Sequence, residues 1–217
     1  MSYFFYKEIF HGKSLGRAML FSALIDLFNE EKQLKADLNI LEIGAEPASY
    51  HRALPGGWKI KNSNYKMIKK TDIIIDAEKN FPLNNNEFDG VIIFNVLYIL
   101  KNYYNCLSEC LRVSKSFILF NVPLICGLVP QPTDYNRFTK EKLISLIDKL
   151  KQEQKIKDYR LIPIGGSFSA AIGLIDIYLR FRIIKIPIYL LAIFFDKLDK
   201  IFNRDCPNMY LVLIKKI

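Results

Sequence analysis

Five short apolar runs recur along the chain with helical or turn-rich stretches between them: Leu38–Gly44, Trp58–Ile60, Asp72–Asp76, Phe88–Asn95 and Ser116–Val122. The first, closed by glycine, reads as a parallel strand buried on both faces, and the others read as further strands, the fourth with β-branched residues at its centre. Strands alternating with helical segments build right-handed βαβ units and a parallel sheet covered on both sides. Ligands of such sheets sit outside the carboxyl ends of the strands, where the strand order reverses. The positions to inspect are therefore Glu42–Glu46, Asn62–Asn64, Asp76–Glu78 and Asn95–Tyr98.

The other elements follow from periodicity and punctuation. Leu20, Leu24, Leu27 and Phe28 recur at helical spacing within an amphipathic helix over Ser14–Leu34. A short helix is expected over Ala48–Leu54, and Asn62 and Asn64 are expected in the turn after the second strand. Val96–Val113 reads as helical. Thr139 is a good N-cap with Glu141 in the first turn, so a helix should run from Lys140 to about Lys151. Tyr159–Ile164, closed by Gly165 and Gly166, and Asn208–Lys215 complete seven strands. The expected architecture is an α/β Rossmann-like, doubly wound, seven-stranded sheet, mostly parallel with the last strand antiparallel, in one domain over 1–217. Residues 1–36 form an N-terminal helical cap and 167–202 an apolar helical insertion or lid.

Composition narrows the function classes. With 51% hydrophobic residues the 217-residue chain can fill a core, which excludes intrinsic disorder. The net charge of +9 suits an anionic partner, nucleic acid or membrane. Without a basic-aromatic stripe, nucleic acid is the weaker reading. Cys106, Cys110, Cys126 and Cys206 form no C-x-x-C pair and read as reduced, buried thiols rather than a metal site or disulfide framework. His11 and His51 lack metal-ligand spacing. Met1–Phe10 has no basic stretch ahead of an apolar run and no small-residue cleavage site, so the mature chain is expected to begin at Met1 and to be cytoplasmic.

The strand-end motifs, in order, are Leu-Glu-Ile-Gly44, Asp-Ala-Glu78 followed by Phe-Pro-Leu83, Glu-Phe-Asp-Gly-Val-Ile-Ile-Phe-Asn-Val-Leu97 and Leu-Ser-Glu-Cys-Leu-Arg-Val113. Together they resemble the class I S-adenosylmethionine-dependent methyltransferases of type 11, over about Leu38 to Lys157. Asp-Tyr-Asn-Arg-Phe-Thr139 and Gly165-Gly166 resemble a bacterial subgroup associated with cell-surface polysaccharide loci. The resemblance implies S-adenosylmethionine as cofactor. Glu42, Gly44 and Ala45 would flank its methionine part, Asn62 would stand near the ribose, Asp76 and Ala77 would hold the adenine, and Asn95 would line the floor. It also implies methyl transfer to a small or lipid-linked acceptor, such as a sugar of a surface glycan, with Asp134, Tyr135 and Arg137 as catalytic candidates and Tyr98 and His51 behind them. Asp134 and Arg137 equally suit a local ion pair that fixes the helix entry.

The chain departs from the family pattern in three places. Gly44-Ala-Glu-Pro-Ala-Ser49 keeps one glycine of the usual two or three, Asn62 or Asn64 replaces a ribose-binding carboxylate, and Leu97-Tyr98-Ile99 replaces Leu-Glu-His. A methyltransferase-fold binding or scaffold protein that has lost the cofactor is the alternative reading.

The segment Ser167–Phe202 carries much of the apolar surplus. Ile183–Phe195 spans about 20 Å as a helix, short of the ~30 Å hydrocarbon core. Two readings remain open: an interfacial hairpin with Arg180, Arg182, Lys185, Lys197 and Lys200 at anionic headgroups on the inner membrane face, or a helical lid packed on protein.

Overall fold

The computed structural model describes residues 3–44, 50–69, 71–127, 133–153, 156–176, 182–202 and 206–217. The elements, in chain order, are α1 (Tyr3–Phe10), α2 (Leu15–Glu30), β1 (Asn39–Ile43), β2 (Lys59–Asn64), β3 (Ile73–Ile74), β4 (Phe88–Ile93), α3 (Tyr103–Val113), β5 (Ser114–Pro123), α4 (Lys140–Glu153), β6 (Ile156–Ile164), α5 (Ser167–Ile175), α6 (Arg182–Ile201) and β7 (Met209–Lys216). The sheet order is β3-β2-β1-β4-β5-β7-β6. Strands β1 to β5 pair in parallel, and β7 lies antiparallel between β5 and β6. This is the expected α/β Rossmann-like sheet with an antiparallel last strand.

The central strands are apolar on both faces because both faces are covered. On one face Leu41, Val91, Ile118 and Val212 pack against Leu107 and Cys110 of α3 and Leu143 and Ile147 of α4. On the other, Ile40, Ile92, Leu119 and Leu213 meet Leu20, Leu24 and Phe28 of α2, with Trp58 between sheet and helix. Gly90 in β4 makes room for the neighbouring strand: a Cβ there would lie 2.3 Å from the Phe117 ring.

Several elements differ from the sequence reading. β2 runs through Asn64, so Asn62 and Asn64 are strand residues rather than turn residues; each pairs across the ladder, Asn62 with Glu42 and Asn64 with Ile74. In place of a helix over Ala48–Leu54 there is a 3-10 turn at His51–Ala53, ended by Leu54 in the extended conformation that the following proline favours; residues 45–49 lie outside the described ones. The segment Val96–Val113 is a 3-10 turn, Leu97–Ile99, and then α3. The break has a cause: the Glu78 carboxylate accepts the Lys101 and Asn102 amides at 2.6 and 3.0 Å, and the Asn102 side chain caps α3 through the Asn105 amide. Thr139 caps α4 as expected, its hydroxyl accepting from the Lys142 amide. Cys106 and Cys110 are buried free thiols, but Cys126 and Cys206 are only half-buried. Among the described residues no cluster suits a metal ion.

The apolar insertion is a helical hairpin packed on the N-terminal helices. Tyr189 and Ala192 of α6 join Phe5 and Ile9 of α1 and Leu15 and Ala18 of α2 in a third apolar cluster. Its acids are used internally. Asp196 accepts the Phe168 and Ser169 amides, each at 2.9 Å, and Asp199 accepts the Ser167 amide at 2.6 Å, so α6 caps the amino end of α5. A Cβ on Gly166 would fall 2.5 Å from Asp199 and 2.8 Å from Asp196, so a larger residue there would push the capping carboxylates aside. Asp176 pairs with Lys185 at 3.0 Å and with the Tyr189 hydroxyl. Replacing both Asp196 and Asp199 by alanine should cost about 1–2 kcal/mol for each lost cap. Amide hydrogen exchange would then accelerate in α5 first, and equal protection in the variant would contradict this role. No described helix is long and apolar enough to cross a membrane. Arg180 lies outside the described residues, as do the side chains of Arg182 and Lys200.

Candidate functional site

The strand order reverses between β1 and β4, which places the crevice between the segments that leave their carboxyl ends. Gly44 follows β1 with φ +70°, and a Cβ there would lie 2.4 Å from Val96 Cγ2, so the two segments touch and only glycine fits. Asn95 follows β4, also left-handed with φ 56°, a conformation asparagine tolerates. Its conformation is held from below. The amide of Asn95 donates to Asn121 Oδ1 at 2.9 Å, Asn121 Nδ2 donates to Asn95 Oδ1 at 2.8 Å, and Asn95 Nδ2 donates to the Tyr50 hydroxyl at 3.0 Å. Asn121 is fully buried in β5. Asn95 therefore lies just past the carboxyl end of β4 with its amide committed to these partners.

One strand over, the Glu42 carboxylate is nearly buried and lies 2.5 Å from His51 Nε2. A carboxylate only accepts, so this nitrogen carries the ring proton. A carboxylate also has about four acceptor positions, so this contact leaves Glu42 capacity for a cationic group. The Ser63 hydroxyl donates to the Glu42 carbonyl at 2.8 Å and ties β2 to β1 at this level.

Beyond β3, Asp76 is half-exposed and ionised. Lys79 at 3.0 Å, the larger cause, and the Glu78 amide at 3.1 Å hold its pKa below the ordinary carboxylate value. Ala77 packs against the core. Asn62 in β2 is the ladder partner of Glu42; its Nδ2 donates to Asp72 at 3.3 Å, and its Oδ1 is buried without a hydrogen-bond partner. Ala45 lies outside the described residues.

The segment after β5 folds over the turn that leaves β4. The Tyr98 carbonyl accepts the Tyr135 and Asn136 amides at 3.0 and 2.9 Å, and Asn136 Nδ2 donates to the Leu100 carbonyl at 2.7 Å. Asp134, nearly buried, holds Arg137 through two contacts, Nη2 to Oδ2 at 2.6 Å and Nη1 to Oδ1. This pairing raises the Arg137 pKa, and the guanidinium stands 5.9 Å from the Tyr98 ring centroid. Of the three catalytic candidates, Asp134 and Arg137 are thus joined to each other, and Tyr135 is exposed with Lys101 Nζ 5.2 Å from its ring.

Gly44, Glu42, Asp76, Ala77 and Asn95 share one sheet edge, with Asp134 and Arg137 above the β4 end. Tyr50 and Asn121 complete this edge and were not singled out in the sequence. For Asn121 a signal existed, a lone amide inside the apolar run Phe117–Val122. Two surface clefts lie elsewhere, about 460 Å³ along α4 between Glu141 and Gln152 and about 320 Å³ between α2 and Pro55. Neither gathers the strand-end groups.

This architecture is the fold of the S-adenosylmethionine-dependent methyltransferases. An enzyme of that description from Thermotoga maritima aligns over 93% of this chain and 91% of its own, with TM-score 0.56 at 12% identity. One from Aquifex aeolicus aligns over 89% of each chain, with TM-score 0.52 at 11% identity. The cyclase SpnF also shares the fold, at TM-score 0.55 and 15% identity over 89% of this chain and 80% of its own. In sequence, residues 58–117 match the family model described as a methyltransferase domain. No curated protein matches the chain in sequence.

Proposed function

We propose that the chain is an S-adenosylmethionine-dependent methyltransferase acting in the cytoplasm, at the inner membrane face, on a small or lipid-linked acceptor such as a sugar of a surface glycan. The observation that carries this reading is the reversal of strand order between β1 and β4, where Gly44 allows close approach and the carboxylates of Glu42 in β1 and Asp76 after β3 stand at the same end of the sheet, with β2 between them. The donor set suits the cofactor: an acidic group for its ammonium at Glu42 and an ionised acceptor for its adenine amino group at Asp76. When bound, it supplies an electrophilic methyl on a sulfonium.

Methyl transfer is an in-line displacement, so the protein contributes mainly alignment. Gly44 and Asn95 shape the floor, and the Asp134 and Arg137 pair fixes the segment that would border the acceptor. A hydroxyl acceptor needs a base. His51, oriented by Glu42, is a candidate beside Tyr135.

Incubating the purified protein with methyl-labelled S-adenosylmethionine and glycan or lipid-linked sugar acceptors tests this reading. Label transferred to an acceptor supports it, and absence of both transfer and cofactor binding favours a binding or scaffold protein that has lost the cofactor. That second reading, a non-catalytic binding or scaffold protein, is favoured by the single glycine of Gly44-Ala-Glu-Pro-Ala-Ser49.

A further inference from the structure

The outer face of the α5–α6 hairpin is apolar where an ordinary protein surface is mixed. Ile184, Pro187, Leu191, Phe194, Leu198 and Ile201 follow one another at spacings of three and four, a single stripe about 25 Å long at 1.5 Å per residue. Leu191, Phe194 and Ile201 are 55, 60 and 70% exposed. The opposite face of the helix, Tyr189, Ala192, Asp196 and Asp199, is the one that packs inward. The stripe is therefore surplus to the fold.

Charge is segregated in the same sense. The acids Asp176, Asp196 and Asp199 are all bonded within the hairpin. Glu8 of α1, which packs against α6, is buried and bonded to Arg52 at 2.8 Å. Of the lysines, Lys185 is paired with Asp176 while Lys7 and Lys197 are exposed, and α1 also exposes Phe10. A second copy of this chain on the same face would set lysine against lysine, with the acids among the described residues of the hairpin already bonded. An anionic lipid surface answers both the apolar stripe and the charge.

We propose that the outer face of α6, with the adjacent surface of α1, is a docking surface for an anionic lipid bilayer, lying in the interface without spanning it. The hairpin begins at Gly165 and Gly166, directly after β6, whose carboxyl end lies at the same sheet edge as Gly44 and Asn95 because β6 and β5 are both antiparallel to β7. Docking would bring that edge to the lipid surface.

The test is flotation of the full-length protein with phosphatidylcholine vesicles, with and without phosphatidylglycerol. The protein should float with the phosphatidylglycerol vesicles and remain below with phosphatidylcholine alone. Leu191→Glu with Phe194→Glu, at positions more than half exposed, should abolish flotation while circular dichroism stays that of the wild type. Lys7→Gln and Lys197→Gln should each weaken binding about fivefold. A wild type that stays at the bottom with anionic vesicles overturns the proposal, as does a Leu191→Glu, Phe194→Glu variant that floats normally. Absence of vesicle binding together with a dimer that this double variant dissociates assigns the face to a second copy instead.

Discussion

Gly44→Ala is expected to destabilise the protein by about 2–5 kcal/mol and to weaken S-adenosylhomocysteine binding at least tenfold. The left-handed backbone at φ +70° costs a side-chain-bearing residue about 1–2 kcal/mol. The added Cβ would also stand 2.4 Å from Val96 Cγ2, and relieving such overpacking costs about 1–3 kcal/mol. The displaced residue is the neighbour of Asn95, so the strain is delivered to the floor of the crevice. Adding Val96→Ala should recover the packing part and leave the backbone part, a coupling that a double-mutant cycle in urea unfolding measures. Equal losses in both backgrounds would show that the Gly44 and Val96 contact is not the cause.

The second large effect belongs to Glu109. Its carboxylate accepts the Phe81 amide and the Nε and Nη2 groups of Arg112, each at 2.7 Å. Arg112 in turn donates to the Phe81 and Leu83 carbonyls at 3.1 and 2.9 Å and to Asn85 Oδ1 at 2.8 Å. The pair thus fastens the loop between β3 and β4 onto α3, which is a structural use for the Leu-Ser-Glu-Cys-Leu-Arg-Val113 motif. Glu109→Ala strands the guanidinium and a buried amide, and should cost about 3 kcal/mol. The pH dependence has a definite sign. Arg112, above all, and the Phe81 amide hold the Glu109 pKa below its ordinary 4.5 against the opposing effect of burial. This stabilisation is complete above that ordinary value and is lost as the pH falls through the lower folded value. Glu109→Gln should therefore flatten the acid limb of the stability profile and leave its slope near neutrality unchanged; an unaltered acid limb would contradict the assignment.

What was legible in the sequence follows from what each signal measures. β1, β4 and β5 were legible because both their faces are covered, so nearly every residue is apolar. The outer half of β2, Lys61-Asn62-Ser63-Asn64, reads as turn because it borders the two-residue strand β3 near the sheet edge, where ladder pairing rather than burial defines it. α1 has only eight residues, and its packing through Phe5 and Ile9 depends on α2 and α6, distant in sequence. The His51–Glu42, Asn95–Asn121 and Asn95–Tyr50 contacts span 9, 26 and 45 positions, and no local pattern encodes such pairs. Gly165-Gly166 was legible as punctuation, but the reason for Gly166 appears only once Asp196 and Asp199 are seen crowding it.

The resemblance anticipated which strand ends would converge, and Gly44, Glu42, Asp76 and Asn95 do share one edge. It did not anticipate how many of those groups are already engaged: Asn95 by Asn121 and Tyr50, Glu42 by His51, Asp76 by Lys79. Asn62, tied to Asp72, is a strand residue of β2 paired with Glu42 rather than a turn residue.

Titration calorimetry of the full-length protein with S-adenosylhomocysteine tests the central claim most directly. Saturable binding to the wild type, weakened at least tenfold by Gly44→Ala and measurably by Asp76→Asn, is the predicted result. No detectable heat at about millimolar ligand, a concentration that would reveal even the weakest specific site, would contradict a cofactor crevice at the β1/β4 reversal.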